Sequence, residues 1–322
     1  MPGQARLEIG LNAAIVSVQG NQPNVLVTRD GDHWDALPYG PFDPLEHRTM
    51  DIGLRNWVRK QTGLELGYVE QLYTFGDRGR HAHPGDAGPH AVSVGYLALI
   101  EEDPEAPPQS ASFSRWYSYL PWEDWRDGKP AILTDAIEPR LKKWAALPDK
   151  DSTRFSALNR ATRLRICFAM DGASWDEEKV LERYELLYEA GLLAESSRDD
   201  RSAANNWNDL PQLGRPMQFD HRRILATAIS RLRGKLKYRP VVFELMPDAF
   251  TLYELQRTVE SISGHHLHKQ NFRRLVENSG LVEATGEVST QTGGRPAKLF
   301  RFRREVLLER PAPGVRMKGG RP

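Results

Sequence analysis

Residues 251–302 constrain the fold more than any other stretch. Thr251 and Glu254 can form a capping box, the hydroxyl taking an orphan N–H and the carboxylate reaching back, which opens a helix over TLYELQRTVESIS. GHHL then turns the chain. HKQNFRRLVENSG follows as a second helix, with Phe272, Leu275 and Val276 on one face and Lys269, Gln270, Arg273 and Arg274 largely off it. LVEATGEV and AKLFRF read as two strands enclosing STQTGGRP. Helix, turn, helix, hairpin is the order of a winged helix-turn-helix.

Charge points the same way. Residues 1–214 hold 23 Lys+Arg against 33 Asp+Glu, and residues 215–322 hold 21 against 10, so a net of −10 faces one of +11 within a chain of formal charge +1. A basic terminal third suits a polyanionic partner. In the second helix Lys269, Gln270 and Asn271 occupy the first turn, the end that reaches base edges in a major groove. Arg273 and Arg274 come next, placed for phosphates or bases. The hairpin loop TGGRPAK adds Arg295, whose guanidinium suits a narrow minor groove, and Lys298. A solvated basic helix face would explain KQNFRR alone; helix and hairpin loop together favour double-stranded DNA.

A chain of 322 residues exceeds what one core usually organises. Residues 12–18 and 24–28 are β-rich and separated by QGNQP, a hairpin signal. After LPYGPFDP, residues 47–62 place Met50, Leu54, Trp57, Val58 and Gln61 at helical spacing, with Gly63 as the stop. GYVEQLYTF and AVSVGYLALI are strands, and WYSYL is expected to add another. From Pro121 the pattern turns helical through ATRLRICFAM and SWDEEKVLERYELLYEAGLL, with Ser174 and Glu177 as a capping box. SRDDRSAANNWNDLPQLGRP lacks periodicity and reads as a linker, and a further helix is expected at about 221–234.

Several chemistries are disfavoured. The single cysteine, Cys167, lies in apolar LRICFAM and cannot form an internal disulfide. His265, His266 and His268, and likewise His81, His83 and His90, lack the Cys or acidic partners of a zinc site, so turn and N-cap roles are expected and no metal. The N-terminus has no basic-then-apolar leader and no run approaches a bilayer span, so a cytoplasmic protein without membrane contact is expected. Arg78 and Arg80, in a glycine-containing loop after a strand, can act as a phosphate fork, although a solvated arginine loop would look the same.

LPYGPFDPLEHRTMDIGLRNWVRKQTGL and GYVEQLYTFGDRGR resemble the Nudix fold. With RLRGKLKYRPVVFELMP, FTLYELQ, NFRRLVENSGLVEATGE and GGRPAKLFRF, the chain resembles the Nudix-related transcriptional regulators of bacterial NAD metabolism, the NrtR type and its longer NadQ-like relatives. Nudix hydrolases carry REUxEExGU, with U bulky and apolar. Read back from Gly63 and Leu64, the two glutamates fall on Lys60 and Gln61 and the Arg-Glu pair on Asn56 and Trp57. Hydrolysis there needs carboxylates to hold Mg²⁺; an ammonium repels it and an amide offers only a neutral carbonyl.

The resemblance implies an α+β chain: a Nudix-like α/β/α sandwich domain over residues 1–150, a helical segment over 151–204, a linker over 205–220, a winged helix-turn-helix over 221–310 and a flexible basic tail over 311–322. It implies a homodimeric repressor of NAD biosynthesis genes, without catalytic residues or cofactor. Its sensing domain would bind an NAD-related, ADP-ribose-like or ATP effector that alters its hold on operator DNA. Tyr39, Arg48, Phe75, Arg78 and Arg80 are the expected effector-binding residues. Two alternatives are a divergent pyrophosphatase recruiting Glu46 or Asp51, and a protein-binding adaptor.

Overall fold

The computed structural model describes residues 7–29, 34–77, 90–101, 110–148, 158–289 and 296–306. β1 (Leu7–Gln19) and β2 (Gln22–Thr28) make the expected hairpin, with Val16 opposite Val25 and Gln19 opposite Gln22. β3 (Tyr39–Pro41) pairs antiparallel with β1. α1 (Met50–Thr62) then opens on Thr49, whose side chain accepts the Ile52 N–H, and ends at Gly63. β4 (Tyr68–Phe75), β5 (His90–Leu99) and β6 (Ala111–Arg115) complete a sheet ordered β4-β5-β1-β2-β6, in which β1 and β5 run parallel. Alternation along β1 divides the core. Leu11, Ala13 and Ile15 meet Leu54 and Val58 of α1 on one face, and Ala14 and Val16 join a larger cluster on the other.

WYSYL is not a strand. Residues Trp116–Ser118 and Pro121–Glu123 form 3-10 turns, and Trp116, Tyr117, Tyr119 and Leu120 are all buried. An edge strand would have left alternate ones in water; turns bury all four. α2 (Glu138–Ala145), α3 (Arg160–Cys167), α4 (Val180–Glu189) and α5 (Ala194–Arg198) form the expected helical middle. Ser174 and Glu177 make no capping box, because α4 begins later, at Val180. Asp176 Oδ1 instead takes the Glu178 N–H (3.0 Å), and Glu177 pairs with Lys237 (2.8 Å).

The linker expected over 205–220 is a packed strap. Leu213 and Met217 are buried, Trp207 Nε1 donates to the Ala190 carbonyl (2.7 Å), and the Arg215 N–H donates to the Ser118 carbonyl (2.8 Å). α6 (His221–Tyr238) follows and belongs to both halves of the molecule. Near its start, Ile224 packs where a side chain on Gly95 of β5 would stand, and His221 Nδ1 accepts the Leu37 N–H (3.0 Å). A boundary at residue 221 therefore separates a helix from the sheet it covers. Its later turns carry β7 (Phe250–Thr251), α7 (Leu252–Ser263), α8 (Lys269–Ser279), β8 (Val282–Ser289) and β9 (Ala297–Phe302), the small sheet running β7-β9-β8. The Thr251–Glu254 capping box forms as expected. No helix among the described residues is long and apolar enough to cross a membrane.

Candidate nucleic-acid interface and ligand cleft

α8 is held from one side only. Phe272 and Val276 are buried and Leu275 half-buried, while Lys269, Gln270, Asn271, Arg273 and Arg274 are exposed. Lys298, on β9, is also exposed. Among the described residues none of Lys269, Arg273, Arg274 and Lys298 forms an ion pair, so these cations remain available to an external anion. Arg301 differs, engaging Glu283 at 2.6 Å. Arg295 and the tail over 311–322 lie outside the described residues.

The turn before α8 is fixed by Glu260 of α7, which sequence reasoning missed. Its buried carboxylate accepts the Leu267 N–H (2.9 Å) and the Gln256 amide (2.8 Å), and meets His266 Nδ1 (3.1 Å). Burial alone would raise this carboxyl, but the Leu267 N–H, Gln256 and His266 outweigh it and hold it below the usual carboxylate range. A charged residue on the buried face of an amphipathic helix was the available signal. His265 and His266 are turn residues and His268 is the N-cap of α8, as expected, though its side chain makes no cap bond.

On the first domain, the altered Nudix-type helix is fastened to β3. Gln61 Oε1 accepts the Tyr39 N–H (3.2 Å) and Nε2 donates to the Tyr39 carbonyl (2.7 Å). Trp57 Nε1 donates to the Pro41 carbonyl (2.8 Å), and its ring covers Gly40 so closely that a Cβ there would come within 2.2 Å. Lys60 Nζ stands 5.1 Å from the Trp57 ring centroid. Three positions that hold metal-binding glutamates in hydrolases thus carry an indole, an ammonium and an amide, two of them committed to backbone bonds. Asp51, the alternative acid, is taken by Arg55 at 2.9 Å.

The expected effector residues are not gathered in one open pocket. Arg48 is exposed beside the start of α1. The Tyr39 ring meets Phe219 (5.7 Å) and His221 (5.2 Å) at the start of α6. Phe75 is 1% exposed, a core residue whose ring lies under the Arg223 guanidinium (5.1 Å). Arg78 and Arg80 fall outside the described residues. Phe75 does form part of the wall of an open cleft of about 600 Å³ between β4 and α6, shared with Tyr73, Leu181, Arg223, Lys235 and Tyr238. Cations there are partnered: Arg223 by Asp77, Asp220 and Glu185, and Arg231 (3.3 Å) and Lys235 (2.5 Å) by Glu70.

Comparison with known proteins bears on both halves. Residues 242–302 match the NrtR DNA-binding winged helix domain. The "ADPR responsive transcriptional repressor NtrR" of Acinetobacter baylyi is 44% identical over 102 residues, covering 31% of this chain and 40% of that relative. The NrtR of Shewanella oneidensis, solved with a 27mer DNA, covers 92% of this chain and 94% of its own at 19% identity and a TM-score of 0.54. A MutT/nudix family protein from Enterococcus faecalis covers 94% and 89% at 16% identity and a TM-score of 0.52. These likenesses establish the fold, a Nudix-like domain followed by a winged helix, and make the chain NrtR-like in architecture.

Proposed function

We propose that this NrtR-like chain is a DNA-binding transcriptional regulator, a repressor, whose Nudix-like domain binds an adenine nucleotide without hydrolysing it. The contrast between paired and unpaired cations carries the reading. Arginines and lysines around the cleft are each held by a carboxylate of the same chain. Those of α8 and Lys298 are exposed and, among the described residues, without an ion-pair partner. A helix face of that kind next to a hairpin suits phosphates and base edges of a duplex. Lys269, Gln270 and Asn271 would read bases, Arg273, Arg274 and Lys298 would hold the backbone, and Arg295 would enter the minor groove. The winged-helix match and the relative that responds to ADP-ribose support the same role.

For the effector, ADP-ribose is the first candidate and NAD-related nucleotides or ATP the next. Tyr39 and Arg48, with Arg78 and Arg80, remain proposed contacts, but Tyr39 and Arg48 do not line the cleft; of the expected set Phe75 forms part of its wall. The cleft beside Phe75 has a volume suited to a nucleotide, and a diphosphate entering it would compete with Glu70 for Arg231 and Lys235. Catalytic inactivity rests on Trp57 and Gln61, whose polar atoms are spent on β3. The regulator is proposed to act as a homodimer on NAD-biosynthesis operators. Fluorescence anisotropy with a duplex from its own upstream region tests this: specific binding that ADP-ribose alters is expected, and indifference to duplex sequence at moderate salt would overturn it.

A further inference from the structure

The last carbonyls of a helix have no partner within it and must find donors elsewhere. In α7, the helix that leads into the turn before α8, those donors come from outside the winged helix. Tyr117 Oη donates to the Ser261 carbonyl (2.8 Å), Arg233 Nε of α6 to the Ile262 carbonyl (2.8 Å), and the Trp125 N–H to the Gly264 carbonyl (2.8 Å). Gly264 has φ 77°, and a Cβ on it would lie 2.5 Å from the Glu123 carbonyl oxygen, 3.0 Å from Arg233 Nη2 and 3.1 Å from Tyr117 Oη. Only glycine fits this contact.

Glu123 organises the donors. It is fully buried between two fully buried arginines: Arg183 of α4 grips it through Nε (2.6 Å) and Nη2 (2.7 Å), and Arg233 through Nη1 (2.7 Å). The remaining N–H groups of Arg233 reach the Glu177 carbonyl (3.0 Å), the Glu123 carbonyl (3.1 Å) and Tyr117 Oη (3.3 Å), so every donor of that guanidinium is placed. Arg183 Nη1 bonds the Cys167 (3.0 Å) and Asp176 (2.8 Å) carbonyls. Four parts of the molecule meet at one carboxylate: the 3-10 segment that continues from β6, the helical middle through Arg183, α6 through Arg233, and α7 by way of Arg233. Taking such charges out of water offsets much of their attraction, so a buried cluster of this kind need not add stability.

We propose that Glu123 is a positioning residue that fixes the winged helix against the Nudix-like domain, so that a nucleotide bound there changes DNA affinity through the Glu123–Arg183–Arg233 cluster. This rests on the regulator reading above, and it gives the middle segment a role: Arg183 of α4 makes the cluster's registry depend on that segment. Ligand and DNA affect one another only as far as each distinguishes two arrangements of the molecule, and the α7 cap is where an arrangement of the first domain reaches α8.

The test uses the full-length protein, Glu123→Gln and the milder Tyr117→Phe, which deletes the cap bond to Ser261 and one acceptor of Arg233 but leaves both ion pairs of Glu123 intact. Three quantities are measured: duplex affinity alone, ADP-ribose affinity alone, and the ratio of duplex affinities with and without saturating ADP-ribose. Expected are single affinities within about threefold of wild type and a ratio falling from the 5–150-fold typical of allosteric coupling to within about twofold of unity in Glu123→Gln, with an intermediate value in Tyr117→Phe. An unchanged ratio in both folded variants overturns the proposal. Hydrogen exchange without ligand decides the docking separately. Residues 261–268 should lose protection in both variants while β1 and β5 keep theirs; unchanged protection there overturns the proposal even if wild type ignores ADP-ribose, an outcome that by itself counts against the regulator reading instead.

Discussion

Gln61 brackets the backbone of Tyr39, accepting its N–H and donating to its carbonyl through one side-chain amide. A glutamate could make only the first bond and would set its charge against the carbonyl. Gln61→Glu should therefore destabilise the first domain by about 1 kcal/mol, the worth of one partly exposed hydrogen bond. Urea unfolding followed by tryptophan fluorescence measures it, and an unchanged midpoint would show that the amide is not needed. Lys60→Glu with Gln61→Glu should still release no AMP from ADP-ribose and Mg²⁺, since Trp57 keeps the third position closed.

Gly40 and Trp57 form a second fastening. A Cβ at residue 40 would lie inside the indole, so Gly40→Ala should cost about 1–3 kcal/mol, as overpacking does. Combining it with Trp57→Ala should return part of that loss, because the clash is removed with the ring. Additive effects in a double-mutant cycle would mean that Gly40 is required for another reason.

Unpaired and paired cations should behave differently toward DNA. Arg273→Ala or Arg274→Ala should weaken duplex binding and lower the slope of log affinity against log salt by about 0.9 for each phosphate no longer neutralised. Arg231→Ala, whose guanidinium already serves Glu70, should leave that slope unchanged. Lys269→Ala and Asn271→Ala should relax base preference. Equal weakening in Arg231→Ala would place the interface elsewhere.

Acid should loosen the molecule in two stages. The His265 imidazole is held below its ordinary value by burial and then by Arg233, with Glu177 and Glu123 opposing and Arg183 adding. Its neutral form belongs to the fold, so its contribution is complete above the unfolded value of about 6.5 and is lost as pH falls below it. Glu123 and Glu177 are also depressed: burial raises each, but Arg183 and Arg233 outweigh it for the first and Lys237 for the second. Their contribution persists above about 4.3 and disappears below it. Thermal midpoints should show an upper step that His265→Gln abolishes and a lower one that remains; a single step below pH 4 in wild type would contradict the assignment.

What could be read from the sequence was local. Thr251 and Glu254 are three residues apart and α8 shows its two faces within three turns, so cap, helix and hairpin all appear where expected. Failures involved distant partners. Ser174 and Glu177 looked like a cap because the competing Lys237 lies sixty residues on, by sequence position. WYSYL has strand propensity, but the 3-10 structure observed buries all four of its large side chains. The strap over 205–220 has no periodicity to mark it, because its bonds run to Ala190 and Ser118, outside the segment. For Glu123 and Arg233 the sequence offers no signal, since nothing in their neighbourhoods reveals a partner 110 positions away.

On the proposed reading a nucleotide is bound intact and alters the grip on DNA. Anisotropy titration of the upstream duplex with and without ADP-ribose, in Mg²⁺ and with the nucleotide recovered and assayed afterwards, tests it most directly. A change of at least about fivefold in duplex affinity, within the usual range for coupled sites, with ADP-ribose returned whole is the predicted result. Released AMP, together with equal affinity for unrelated duplexes, would contradict it.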